Sequence, residues 1–165
     1  QGTIETRLRR LTDVLNEPDA SHLLVLGATF MEVGSRRVIA EAAVAQVQLA
    51  EVLFVHMNES IGSTSEMRIP KQAVRTTLLA PPFTIEGQIH LPYESELRLA
   101  LDDYGGRFLP VTKARYWAYG VAESPCNVDL LVVNHAKTHV AISAGVDWRT
   151  EAPPDDGPGS SQNPW

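Results

Sequence analysis

The sequence predicts an α+β fold, mainly β, built from two tandem small half-barrel modules that each carry one short helix. Two observations predict it. Short segments rich in β-branched and apolar residues alternate with turn-forming residues, which is the pattern of strands. The order of segments also repeats along the chain, because Leu11 aligns with Leu97 at a shift of 86 residues and the neighbouring segments follow. Such a unit is a small α+β module whose sheet is expected to curl.

The composition is that of a globular protein. The chain has 165 residues, of which 44% are hydrophobic and 21% are charged, and this balance does not fit a disordered chain. Apolar runs such as Val52–Val55 are far shorter than the roughly 20 residues that a transmembrane helix needs. We therefore expect no membrane span.

The cysteine content favours a cytoplasmic location. Cys126 is the single cysteine, so no disulfide can form within one chain, and this fits a reducing compartment. The formal charge of −6 argues against a protein built mainly to neutralise phosphates, since nonspecific nucleic-acid binding depends on Lys and Arg.

The first module begins with a truncated strand, QGTIE, and continues into a predicted helix over Thr6–Asn16, where apolar residues recur at helical spacing. His22–Val33 is a predicted strand with Gly27 as a bulge or kink. The next stretch, Arg36–Met57, is ambiguous. Its Ala and Glu content suits a helix, whereas its later alternation and the repeat favour two strands.

The second module is predicted to open with a hairpin-like pair of strands, Met67–Leu79 and Phe83–Leu91. A short helix capped by Ser95 follows, with Leu97, Ala100, Leu101 and Tyr104 on one face. Three further strands complete the module, and they are Arg107–Tyr119, Val128–Val133 and Val140–Ala144.

The repeat divides the chain at residues 1–66, 67–150 and 151–165. A shift of 86 aligns helix with helix, and a shift of 88 is expected to place Ala45–Val55 on Val133–Ser143. The first module has no counterpart of Met67–Ala80, its leading strand. Either this strand has been trimmed, or another element or subunit covers the edge, because an uncovered edge strand is an association site.

Three sequence motifs carry a family resemblance: IEGQIHLP, FLPVTKARYW and LLVVNHAKTHVAI. Together they resemble bacterial domains of unknown function with a small-β-barrel, Sm-like organisation, here as a tandem duplication. The resemblance covers the second module well and the first loosely. It implies a structural module and supplies no catalytic residues.

No motif for catalysis or for a cofactor emerges from the residues. His135 and His139 form an HxxxH pair, but they flank a turn and only Asp129 is near enough in sequence to extend a metal site. Signatures of serine hydrolases and of nucleotide-phosphate binding are absent. We therefore expect a protein that is not an enzyme and uses no cofactor or metal.

Two groups of residues are candidates for interactions. Arg115, Tyr116 and Trp117 combine a cation with stacking rings, as single-strand nucleic-acid binding requires. The tail, residues 151–165, is rich in Pro, Gly and acids and should not fold alone. Trp165 could anchor this tail on its own body or on a neighbouring subunit.

These observations predict a non-enzymatic interaction or assembly module that forms a homo-oligomer through a sheet edge or the C-terminal tail. The alternative is a small-barrel protein that binds single-stranded nucleic acid, and a more distant one is a regulator that binds a small molecule or a metal.

Overall fold

A computed structural model of the chain describes residues 1–6, 9–57, 71–92, 101, 104–120 and 124–143. The protein is mainly β, with two sheets and one short helix among these residues, which confirms the predicted fold class. Helix α1 covers Leu11–Leu15. The strands are β1 His22–Met31, β2 Val38–Gln48, β3 Phe54–His56, β4 Lys71–Ala80, β5 Phe83–Pro92, β6 Phe108–Ala118, β7 Cys126–Asn134 and β8 Val140–Ser143.

Helix α1 is shorter than the sequence predicts. It begins at Leu11 because Arg10 has an extended backbone, with φ −68° and ψ 144°, and supplies no side-chain cap. Its buried residues are Leu11 and Leu15, which lie one helical turn apart on the same face. The helix predicted after Ser95 lies mostly outside the described residues, although Leu101 is helical.

The ambiguous stretch Arg36–Met57 forms strands. β2 pairs antiparallel with β1 from His22 opposite Gln48 to Met31 opposite Val38. The Ala-rich composition favours a helix only weakly, and tertiary pairing overrides such a preference. On the other edge of β1, Thr3 and Leu26 exchange two backbone hydrogen bonds of 2.8 Å.

The second sheet has six strands in the order β3, β7, β6, β5, β4, β8, and all neighbours are antiparallel. The predicted hairpin of β4 and β5 is confirmed. Among the described strands the sheet does not close into a barrel, since β3 and β8 form its two ends. β3 comes from the first half of the sequence, yet it extends the sheet of the second half.

From β1 onward, the two halves share local structure at a shift of 86 residues. Gly27 has φ +57° and Lys113, 86 residues later, has φ +48°, so both halves place a left-handed residue at the same point of a strand. The 3-10 turns Leu49–Glu51 and His135–Lys137 also differ by 86. The shift of 88 predicted for the last strands is wrong. A slip of two residues keeps every side chain on the same face, so the alternation alone does not detect it.

Two apolar clusters fill the interior. The larger one is formed by buried residues of β4, β5, β6 and β7. It includes Ile85, Ile89, Leu131 and Val133, which are fully buried. The smaller one joins the two halves. Its buried members are Leu11, Leu15, Leu49, Phe108 and Val132.

Candidate assembly surface

The two halves of the chain meet in a contact that we call the junction: the pairing of β3 with β7 and the smaller apolar cluster beside it. Phe54 lies opposite Val133 and His56 opposite Leu131. The backbone N–H of Asn134 donates to the carbonyl of Leu53 at 2.8 Å, which extends the ladder by one residue. The junction therefore begins as the addition of a strand to a sheet edge.

The apolar part of the junction covers one face of β6 and β7. Phe108 and Val132 are both 0% exposed because they pack against Leu11, Leu15 and Leu49 of the first half. Burying apolar surface of this kind contributes about 25 cal/mol for each Å² removed from water. The first half thus shields apolar residues of the second half that would otherwise face solvent.

A polar clamp fixes the position of α1 on β6. The side chain of Asn16 donates from Nδ2 to the carbonyl of Phe108 at 2.8 Å, and its Oδ1 accepts from the N–H of Phe108 at 2.7 Å. The hydroxyl of Tyr104 donates to the same carbonyl at 2.8 Å. Burial raises the pKa of Tyr104 above its usual value, so this hydroxyl stays protonated as the bond requires.

Replacing Asn16 with alanine is expected to lower the free energy of unfolding by about 1–3 kcal/mol, because the backbone N–H of Phe108 would lose its partner in a buried setting. Urea denaturation followed by circular dichroism measures this loss. Glu17→Ala is the matched control, since Glu17 takes part in an exposed ion pair with Arg9 and such pairs contribute at most about 1 kcal/mol. Equal losses for the two variants would contradict the role of the clamp.

Asn134 and Lys137 connect the second half to the first 3-10 turn. Asn134 is 1% exposed, and its Nδ2 donates to the carbonyl of Val52 at 2.9 Å. The Lys137 ammonium lies 3.5 Å from the carboxylate of Glu51. Glu51 and Lys137 are themselves 86 residues apart in the sequence, so this ion pair joins equivalent positions of the two halves.

The first half carries a strand pair, β1 with β2, that corresponds to β6 with β7 of the junction. At the shift of 86, β2 takes the place of β7, and Val44 takes the place of half-buried Leu130, which packs against the junction cluster. Val44 is 55% exposed, and Leu24 and Leu26 beside it on β1 are 55% and 37% exposed. We call these three residues the exposed apolar face.

The edge of β2 is also unpaired within the described residues, because β1 is its single partner there. β2 is eleven residues long and contains one charged residue, Glu41, and no Lys, Arg or Pro. Natural edge strands are usually protected by Lys, Pro or short length. The composition and length of β2 are therefore those of a strand that accepts a partner.

The predicted interaction residues do not form one surface. Arg115 and Trp117 lie on the same face of β6, with the Arg115 guanidinium carbon 5.3 Å from the centre of the Trp117 ring. Glu86 on the adjacent strand lies 3.9 Å from Nε of Arg115. Tyr116 points to the opposite face, where its ring packs 5.0 Å from that of Phe54. Trp165 and the rest of the tail lie outside the described residues.

The HxxxH residues have structural contacts. His135 Nε2 lies 2.7 Å from the carbonyl oxygen of Gly106, and its ring meets that of Tyr104 at 5.7 Å. The described ranges contain no group of three or more His, Cys, Asp or Glu side chains placed to hold a metal ion. Within the same ranges, no helix has the length and apolar character needed to cross a membrane.

Sequence reasoning missed the residues of the junction and of the exposed apolar face. Leu24, Leu26 and Val44 look like ordinary strand residues in the sequence, and the repeat was the signal that could have found them. Comparisons with protein-family models, with curated proteins and with solved structures give no match.

Proposed function

We propose that the protein is a non-enzymatic assembly module that binds a protein partner through the edge of β2 and the exposed apolar face beside it. The observation that carries this proposal is a difference between two corresponding strand pairs, β6 with β7 and β1 with β2. On the second half the surface is covered by α1 and β3, whereas on the first half Leu24, Leu26 and Val44 remain exposed.

Strand addition at β2 supplies the backbone part of the binding energy. An incoming strand would satisfy N–H and C=O groups along the free edge, as β3 does for β7. The apolar face would supply the hydrophobic part, because a strand or helix that covers it removes Leu24 and Val44 from water. Both contributions are already present together at the junction.

Self-association is the simplest form of this function. Among its described residues the chain has both a free edge, that of β2, and a strand that adds to such an edge, β3, so a second copy has the required chemistry. The C-terminal tail is the other candidate for self-association, and the two routes predict different effects of substitution and truncation.

Replacing Val44 with lysine is expected to weaken association at least tenfold, equivalent to about 1.4 kcal/mol, because burial in the contact would desolvate the new charge. Sedimentation velocity over a range of protein concentrations measures the effect. Wild-type protein is expected to show a mass that rises with concentration. Val44 is exposed, so the monomer should remain folded.

Tyr119→Lys is the matched control, since Tyr119 is 85% exposed and lies after β6 rather than on β1 or β2. It should leave association unchanged. A wild-type mass that stays monomeric at every concentration would contradict the proposal. If Val44→Lys associates normally and truncation after Thr150 abolishes association, the tail is the assembly element instead.

A further inference from the structure

We propose that the partner of β2 is β8 of a second copy of the chain, paired in the register that β3 and β7 use within one chain. This inference rests on the proposed function and names its partner. Successive copies would then be joined head to tail, with the second half of one copy docked on the first half of the next.

The equivalence of the two halves supports this choice of strand. β2 corresponds to β7, and β3 corresponds to β8, because Phe54–His56 and the first three residues of β8 differ by 86. Within one chain, β3 occupies the edge of β7. Among the described residues β8 has one strand partner, β4, and β2 has one strand partner, β1. β3 also has one strand partner there, β7. Of these three strands, β8 and β2 are the pair whose contact would repeat the junction.

The register follows from the observed pairs. Phe54 lies opposite Val133 and His56 opposite Leu131. In the proposed contact each residue of β3 is replaced by its counterpart on β8, 86 residues later, and each residue of β7 by its counterpart on β2, 86 residues earlier. This places Val140 opposite Val47, and Ile142 opposite Ala45. All four of these residues are apolar.

A head-to-tail contact leaves the same two surfaces free at the ends of any assembly. It therefore produces a ring when the rotation between copies closes and a filament when it does not. A symmetric contact through β2 would stop at a dimer.

Cysteine cross-linking tests the strand and the register together. With Cys126 replaced by serine, one protein carries Ala45→Cys and another carries Ile142→Cys. The N–H of Asn134 donates to the carbonyl of Leu53, so these two residues form a hydrogen-bonded pair. Hydrogen-bonded and non-hydrogen-bonded pairs alternate along an antiparallel ladder, which makes His56 and Leu131 a non-hydrogen-bonded pair, the type with the closer side chains. The repeated pair, Ala45 and Ile142, then has a spacing suited to a disulfide.

After mild oxidation, only the mixture of the two proteins is expected to give a covalent dimer on a non-reducing gel. A chain that carries both cysteines should give a ladder of covalent oligomers or a covalently closed ring. Pairing Ile142→Cys with Ala43→Cys is the register control, since a shift of two residues separates the sulfurs, and its yield of dimer should be several-fold lower.

Three outcomes would overturn the inference. Wild-type association without a cross-link in the mixture would leave the proposed function standing and refute β8 as the partner. Dimers formed by the Ala45→Cys protein alone would indicate a symmetric contact of two β2 strands. A wild-type protein that remains monomeric in sedimentation would refute both the inference and the proposed function.

Discussion

Replacing Phe108 with alanine is expected to lower the free energy of unfolding by about 3–5 kcal/mol, the cost of removing a fully buried aromatic side chain. Phe108 is 0% exposed and packs in the cluster that joins the two halves. The side chain of Asn16 bonds both the backbone N–H and the backbone carbonyl of Phe108. Because the position cannot shift to fill the space, most of the cavity left by the ring should persist.

Urea or thermal denaturation followed by circular dichroism measures this loss. Phe108→Leu should cost less than Phe108→Ala, since leucine fills part of the same volume. Tyr119→Ala is the control for loss of an aromatic ring at an exposed position, where substitutions usually change stability by no more than about 0.5 kcal/mol. A loss below about 1 kcal/mol for Phe108→Ala would contradict the assignment of the cluster as a core.

Replacing Gly87 with alanine is expected to destabilise the protein by about 1–3 kcal/mol through overpacking. A Cβ atom at Gly87 would meet Cγ1 of Val111, would lie 3.0 Å from the carbonyl oxygen of Thr112 and would lie 3.3 Å from Cα of Ala114. Two of these atoms belong to the backbone of β6. β5 is held between β4 and β6, so the strand has little room to move away.

The repeat supplies a matched control for Gly87. A Cβ atom at Gly2 would meet the equivalent atoms of the first half, including the carbonyl oxygen of Leu26 at 2.9 Å and Cα of Ala28 at 3.3 Å. Within the described residues, this initial segment bonds to β1 and to no second strand, so it can shift. Gly2→Ala should therefore cost less than Gly87→Ala in denaturation experiments. Equal losses would contradict the view that flanking strands prevent relaxation.

Most strands could be predicted from local pattern. β4 and β5 were found because their alternation continues on both sides of the turn at Pro81 and Pro82, and Gly27 was recognised as a point of irregular backbone. The helix over Thr6–Asn16 was predicted too long, because apolar spacing alone does not reveal that Arg10 is extended. Helix boundaries depend on capping and on contacts that periodicity does not contain.

Less of the candidate site could be predicted. An uncovered edge was expected where the first module lacks its leading strand, and not at β2. The residues proposed for interaction were Arg115, Tyr116, Trp117 and Trp165. Alternation of a strand places Tyr116 on the opposite face from its neighbours, so the rings of Tyr116 and Trp117 do not share one surface. The exposed apolar face consists of ordinary aliphatic residues, and their exposure is known only when the fold shows what covers each strand.

The sequence by itself determined the duplication and the mainly β character of the protein. The β character follows from the periodicity and the turn residues within each short segment. The duplication follows because the same order of segments recurs about 86 residues later. Only the tertiary structure decided that β3 joins β7 and that Val44 remains exposed while Phe108 is buried. The physical reason is that backbone N–H and C=O groups are the same in every strand. The choice among available edges depends on packing between distant segments, which local sequence patterns do not specify.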